Sequence, residues 1–439
     1  MAEPIQQSEL SVTPGAAARI LGRTFSSFRH RNFRLYFIGQ MVSNTGNWLT
    51  NIAITLLVLK ITGSGLRVGV LSACQYGPLM ILSPYAGALA DRFSKRRSLI
   101  VTQALEMAQS IGLAILAFLP NPPLIALYVL ALAGGIFLAF DNPLRRSFVS
   151  EMVAPEDLPN AIVLYSTIVN GSRIFGPAIA GLLIVSVGYG WCFTLDAVSY
   201  VAVLVCLFLM RENELHRSTK RADRKGAVRA GLRYVFDTPT LWISFMMLAI
   251  LGTLSYNFNV TLPLFVTQVL HAGERTYTFL QSVTSAGAVV CTLVIAHGRF
   301  TGMRHIIAGA VLLGIGTLML APVSSVAVAV PIMFFIGMAG ILFMTATTAI
   351  AQVDARREMH GRVLALQTVL IGGPLAIGGP ILGWIADTFG GRAPMFVGGI
   401  AAFITAAIGS WANRRYAKPG RDITMTFDDG SADPSRGSG

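Results

Sequence analysis

Long apolar runs separated by short polar breaks dominate the chain. A run of ~20 apolar residues is enough to cross a bilayer. On that measure twelve spans can be drawn, at roughly 33–59, 67–90, 98–119, 124–144, 158–186, 189–211, 238–268, 276–296, 304–321, 326–351, 362–386 and 393–414. Backbone polar groups in lipid need partners within the segment, so runs of this length are helices. The widest break in the middle of the chain, 212–237, holds Arg217, Lys220, Arg221, Arg224, Lys225, Arg229 and Arg233. The pattern predicts an all-α membrane protein of twelve transmembrane helices in two six-helix halves. It divides into an N-terminal bundle 25–211, a polar cytoplasmic linker 212–237 and a C-terminal bundle 238–416. The linker is expected to lay a short amphipathic helix on the headgroups. Residues 1–24 and 417–439 read as disordered cytoplasmic tails, and no apolar stretch follows a basic start to make 1–24 a cleaved signal.

Composition supports the membrane reading. Of 439 residues, 54% are hydrophobic and 13% charged, with a mean hydropathy of +0.63. A soluble domain carries about 25% charged residues. The formal net charge is +13, which in a soluble chain would suggest nucleic acid. Here the cations sit in loops. With the N-terminus inside, the outward loops carry Lys60, Arg67, Arg275 and Arg392, and Arg173 lies within a span. The rest of the 34 Lys and Arg fall on the cytoplasmic side, as the positive-inside rule requires. Both termini are therefore expected in the cytoplasm, the chain in the plasma (bacterial inner) membrane, and the excess charge against anionic headgroups rather than nucleic acid.

Catalytic chemistry finds no foothold. Cys74, Cys192, Cys206 and Cys291 lie in apolar runs at unrelated spacing, which reads as packing rather than disulfides or metal ligands. The histidines form no H-E-x-x-H, and no Gly-Lys step offers a Walker loop. The expectation is no enzyme, no metal and no cofactor.

Charges inside spans are costly, so they are informative. An Arg at the bilayer centre costs ~2.5–3.5 kcal/mol on insertion scales. Glu106, Arg173 and Asp196 stand well inside their spans. At ~1.5 Å rise per residue, Glu106 and Arg173 come to similar depths, and Asp196 does not. Glu106 is therefore the expected partner of Arg173. Alternatively each is satisfied separately, and a buried Glu106 carries a proton. Polar residues also line up on particular spans: Gln40, Asn44, Asn47 and Thr50 on the first, Asn257, Asn259 and Thr261 on the seventh, and Thr345, Thr347, Thr348 and Gln352 on the tenth. They are read either as a substrate-facing surface or as interhelical hydrogen bonds. Tyr36, Phe37, Trp48, Tyr256, Phe258 and Phe265 are candidate pocket aromatics.

Two motifs recur. The fifth span holds Gly171-Ser-Arg-Ile-Phe-Gly176-Pro177-Ala-Ile-Ala-Gly181, and the eleventh holds Gly372-Gly-Pro-Leu-Ala-Ile-Gly378-Gly379-Pro380-Ile-Leu-Gly383. Small residues let helices approach and prolines bend them, and the match supports two related halves. Between spans two and three runs Gly87-Ala-Leu-Ala-Asp91-Arg92-Phe-Ser-Lys95-Arg96-Arg97, a short basic turn with one carboxylate at a helix end.

That G-x-x-x-D-R-x-x-x-R-R turn resembles the loop 2–3 signature of the major facilitator superfamily. The fifth-span Gly-Pro resembles the motif its exporters carry there. The stretch from Phe140-Asp141-Asn-Pro143 to Pro155-Glu-Asp-Leu-Pro-Asn160-Ala161 resembles the branch of enterobactin exporters and macrolide efflux proteins. The resemblance implies a monomer whose spans 1, 4, 7 and 10 line a cavity. It implies that Asp91 docks on the start of span eleven near Gly361, and that Asp141 meets Arg92, Arg96 and Arg97 in an inner gate. The expected function is proton-coupled export of a small organic molecule, a siderophore or drug, by alternating access. An importer or lipid flippase of the same fold, and a receptor or scaffold using the basic linker, are the alternatives.

Overall fold

A computed structural model describes residues 26–90, 93–216, 227–296, 302–356 and 358–416. Twelve rods run back and forth through it. In the first half they are α1 (Arg31–Thr62), α2 (Gly65–Ala90), α3 (Lys95–Ala117), α4 (Leu124–Met152), α5 (Leu158–Ser186) and α6 (Tyr189–Leu209). A short helix α7 (Ala227–Asp237) follows. The second half is α8 (Pro239–Leu254) with α9 (Phe258–Gln268), then α10 (Glu274–Ala296), α11 (Met303–Leu320), α12 (Val326–Val353), α13 (His360–Phe389) and α14 (Ala393–Tyr416). By length and composition ten of the described helical spans can cross a membrane, α8 and α9 counting as one. The first turn is tight: α1 stops where Gly63 takes φ +61° and returns its N–H to Leu59 O at 2.7 Å, a left-handed cap that a side chain would strain.

The two halves repeat one packing scheme. In the first half α1 packs on α5 and α6, α4 on α2 and α3, and α3 on α6; in the second, α8 packs on α13 and α14, α12 on α10 and α11, and α11 on α14. The halves meet along α2 with α13 and α5 with α10. Glycines make this seam possible. A Cβ on Gly69 would run into the backbone of Gly379 and Pro380, one on Gly383 into Gly65 O, and one on Gly181 into Thr278. Gly176 admits Trp48 of α1 in the same way. Gly171 differs from its expected packing role, because nothing lies within 4 Å of where its Cβ would be.

Three elements depart from the apolar pattern. α4 runs on to Met152, past the expected end at 144, because Pro143 is accommodated inside the helix. The seventh span is broken at Ser255–Asn257. There the Asn257 Nδ2 donates to Gly252 O at 2.9 Å and Thr253 O at 3.0 Å, tying off carbonyls that the break leaves bare. The linker does form a helix, but α7 docks onto protein as well as presenting Phe236 and Leu232 outward. Gly231 sits over Arg362, and the Tyr234 hydroxyl donates to Asp354 O at 3.3 Å and accepts from the Arg356 N–H at 3.0 Å.

One end of the molecule gathers the loops that carry most cations. There His30 meets Asp157 at 2.8 Å, Lys95 meets Glu151 at 2.9 Å, and the Arg211 N–H donates to Asn32 Oδ1 at 3.0 Å. It is called the basic end below, and the opposite one the far end.

Candidate functional site

Among the described residues, every buried charged side chain lies in the first half: Glu106, Asp141, Arg145, Glu151 and Asp196. Four of them form a polar column inside that bundle. Arg145 of α4 is its hub, only 5% exposed. Its Nη1 donates to Gln40 Oε1 at 2.7 Å, its Nη2 to Glu106 Oε2 at 3.3 Å, and its Nε contacts Asp141 Oδ2 one turn earlier. Gln103 bridges the two acids, with Nε2 at 3.0 Å from Glu106 Oε2 and 2.9 Å from Asp141 Oδ1. Thr102 donates to Asp141 Oδ1 at 2.9 Å. Nearer the far end, Asp196 accepts from Thr50 and Ser110, both at 2.7 Å. Gly46 leaves the room for that carboxylate. The Tyr200 hydroxyl donates to Asn47 Oδ1 at 2.8 Å.

This geometry corrects the expected pairing of Glu106 with Arg173. The depths agree, but the directions do not. α3 packs on α4 and α6 rather than α5, so Glu106 looks into the bundle and finds Arg145. Asp141 is corrected as well. With α4 continuing past it, it is fully buried beside Arg145 rather than at the boundary facing the loop cations. Arg96 does other work: it donates to Leu207 O at 2.8 Å, Phe208 O at 3.1 Å and Glu212 Oε1 at 2.6 Å. A cation there suits the carbonyls at the end of α6. Arg97 is exposed. Asp91 and Arg92 lie outside the described residues, as do the surroundings of Gly87. Gly361 opens α13 with free space where a Cβ would be.

The polar candidates separate by direction. Gln40 and Asn47 belong to the buried column, and Asn44 donates to Gln40 O at 2.8 Å. Asn257 secures the helix break. Asn259 alone of this set reaches across the halves, 3.4 Å from the Tyr76 hydroxyl. Gln352 is exposed at the end of α12.

The far end of the seam holds a contact that the residue pattern did not single out. Asp387, near the end of α13, accepts from the Gly65 N–H at 2.6 Å, the Leu66 N–H at 2.9 Å and the Ser64 hydroxyl at 2.6 Å. It caps the start of α2 from the other half of the molecule, where bare amides and the helix dipole favour a carboxylate. A sequence signal exists: Gly383-Trp-Ile-Ala-Asp387 repeats the form Gly87-Ala-Leu-Ala-Asp91. Close by, the Tyr189 hydroxyl contacts Glu274 of the second half, and Lys60 lies 5.1 Å above the Tyr189 ring.

Toward the basic end one face of α5 is exposed. On α5, Ser166, Asn170 and Arg173 recur at helical steps and are exposed. The same face continues into Pro177, Ala180, Gly181 and Ile184, which are buried, with Gly181 against Thr278 of α10. That face therefore points at the second half, while Phe175, Ile179 and Leu182 form a separate outward apolar face.

Comparisons with known proteins say what a buried polar column beside a seam between two repeated halves belongs to. The family model described as transmembrane secretion effector matches residues 22–420. A staphyloferrin A transporter of Staphylococcus aureus is 22% identical over 87% of this chain and 96% of its own. An enterobactin exporter of Shigella flexneri is 26% identical over 48% of this chain and 52% of its own. A bacterial homologue of the lysosomal transporter Spinster, solved inward-facing and unoccupied, superposes with TM-score 0.69 at 16% identity, covering 87% of this chain and 97% of its own. A POT family transporter solved with 5-aminolevulinic acid gives 0.72 at 12% identity, covering 88% and 97%. The chain is a membrane transporter rather than an enzyme, and it belongs to the transmembrane secretion effector family of the major facilitator superfamily.

Proposed function

We propose that this chain exports a small organic molecule, of the siderophore or drug type, across the bacterial inner membrane in exchange for protons. One observation carries the coupling: among the described residues Arg145 is the one cation paired with both Glu106 and Asp141 inside the first half. Two carboxylates against one guanidinium leave a surplus negative charge, and an unmatched buried charge is expensive. A proton on Glu106 removes the surplus, and its release restores it. The column then favours different helix arrangements with and without the proton, which is what biasing a two-state equilibrium requires. Asp141 and Arg145 stay paired throughout. The basic end faces the cytoplasm, as the distribution of Lys and Arg supports, so solute enters from inside, along the exposed face of α5. The Asp387 cap closes the far end meanwhile. Export, rather than uptake, is supported by the name of the Shigella flexneri relative.

The test is accumulation of staphyloferrin A, enterobactin and a panel of drugs in cells overproducing the chain, with and without a protonophore. Lower accumulation that returns to the control level with the protonophore, and in Glu106→Gln, is expected. Export that persists at full rate with the protonophore present sinks the proton reading.

A further inference from the structure

Arg173 sits midway along α5, on the face that looks across the seam. The other charged side chains named inside the spans have polar partners. Glu106 and Asp141 have Arg145, Asp196 has hydroxyl donors, and Asp387 has backbone amides. Arg173 is exposed and makes no ion pair or hydrogen bond among the described residues. It stands one turn before Gly176 and the Trp48 that packs there.

Its surroundings come from both halves. The charge of Arg173 reaches Tyr76 of α2 and Tyr256 of the second half, and Tyr277 of α10 lies close to Tyr76. Asn259 approaches the Tyr76 hydroxyl, and Gln75 donates to Asn51 Oδ1 at 3.3 Å. Tyr256 is part of the break between α8 and α9. Non-helical backbone at this depth is tolerated where it lines a cavity, and broken helices mark the central sites of many carriers. An uncompensated guanidinium repels cations and offers two parallel N–H donors to a planar oxyanion. Phenol hydroxyls supply further donors, and the rings supply flat apolar surface.

We infer that Arg173, together with Tyr76 and Tyr256, forms the binding site of the transported molecule, and that this molecule presents a carboxylate on a flat apolar body. The inference builds on the transport reading above but needs no proton gradient. The test therefore uses binding alone: the full chain in phosphatidylcholine nanodiscs, with tritiated 2-naphthoate as probe. Unlabelled 2-naphthoate should displace the probe at least tenfold more effectively than its neutral methyl ester, and 2-naphthylmethylamine should not displace it. Arg173→Gln should lose at least tenfold in specific binding with an unchanged melting temperature, and Arg173→Lys should keep part of it. The inference is overturned by an absence of specific binding to the wild type, by an ester that competes as well as the acid, or by an Arg173→Gln protein that binds within twofold of wild type. Binding without proton-driven export would remove the coupling mechanism and leave this site standing.

Discussion

Arg145 holds Gln40, Glu106 and Asp141 at once, so its loss strands two buried carboxylates. Removing one partner of a buried pair costs about 3–5 kcal/mol. Arg145→Gln should therefore lower the melting temperature of the purified protein by many degrees. Adding Asp141→Asn to that variant should recover part of the loss, since the two sites share one network. A double variant no more stable than Arg145→Gln would show that Asp141 is satisfied by Thr102 and Gln103 alone. Glu106 was legible as a costly residue inside an apolar run, whereas Asp141 read as a boundary residue at the end of the fourth span. Their true partner was less so, although Asp141 and Arg145 stand at the four-residue spacing of a helical ion pair. Pro143 between them reads as a helix end, and only the continuing backbone of α4 places Arg145 inside.

At the scale of elements, two devices should respond to substitution. Asn257→Leu leaves the carbonyls of Gly252 and Thr253 without the donors that now satisfy them. An unsatisfied buried acceptor costs about 1–3 kcal/mol, so the melting temperature should fall, with Asn257→Gln falling less than Asn257→Leu. The Asp387 cap should act on conformation instead. Asp387→Asn keeps the shape of the side chain but removes the charge that suits the α2 dipole. Nitroxides at positions 121 and 322, on far-end loops of the two halves, should report a larger share of long distances in this variant by double electron–electron resonance. Unchanged distance distributions would mean that the glycine seam alone holds the far end. The boundaries of most helices followed from apolar run lengths. The break in the seventh span did not, because 238–268 is apolar enough overall to read as one span despite Ser255, Asn257 and Asn259, and the interruption is stabilised by the Asn257 amide and by Ser255 donating to Gly398 O at 2.5 Å.

For the whole molecule, alternating access demands that the far-end seam separate in every cycle. Cysteines replacing Ser64 and Asp387, whose side chains now touch, should lock it when oxidised. Export should stop under mild oxidation and return with dithiothreitol. Undiminished export by the fully cross-linked protein would refute a moving seam. The repeated packing of the halves places α2 against α13 and α5 against α10 as equivalent pairs. The small residues on these four helices form the contact between the halves, while the polar column lies inside one half.

The sequence by itself determined the membrane class, the apolar rods and their approximate ends. All of these depend on run length and loop composition, which are local properties. It also marked Glu106, Arg173 and Asp196 as residues needing an explanation, because charge in an apolar run is costly wherever it points. Only the tertiary structure decided how those charges are matched: Glu106 to Arg145, Asp387 to the start of α2, and Arg173 to no protein partner among the described residues. Depth along a helix can be counted from residue numbers. The direction in which a side chain leaves the helix acquires meaning only when the neighbouring helices are in place, and that direction separates the paired Glu106 from the exposed Arg173.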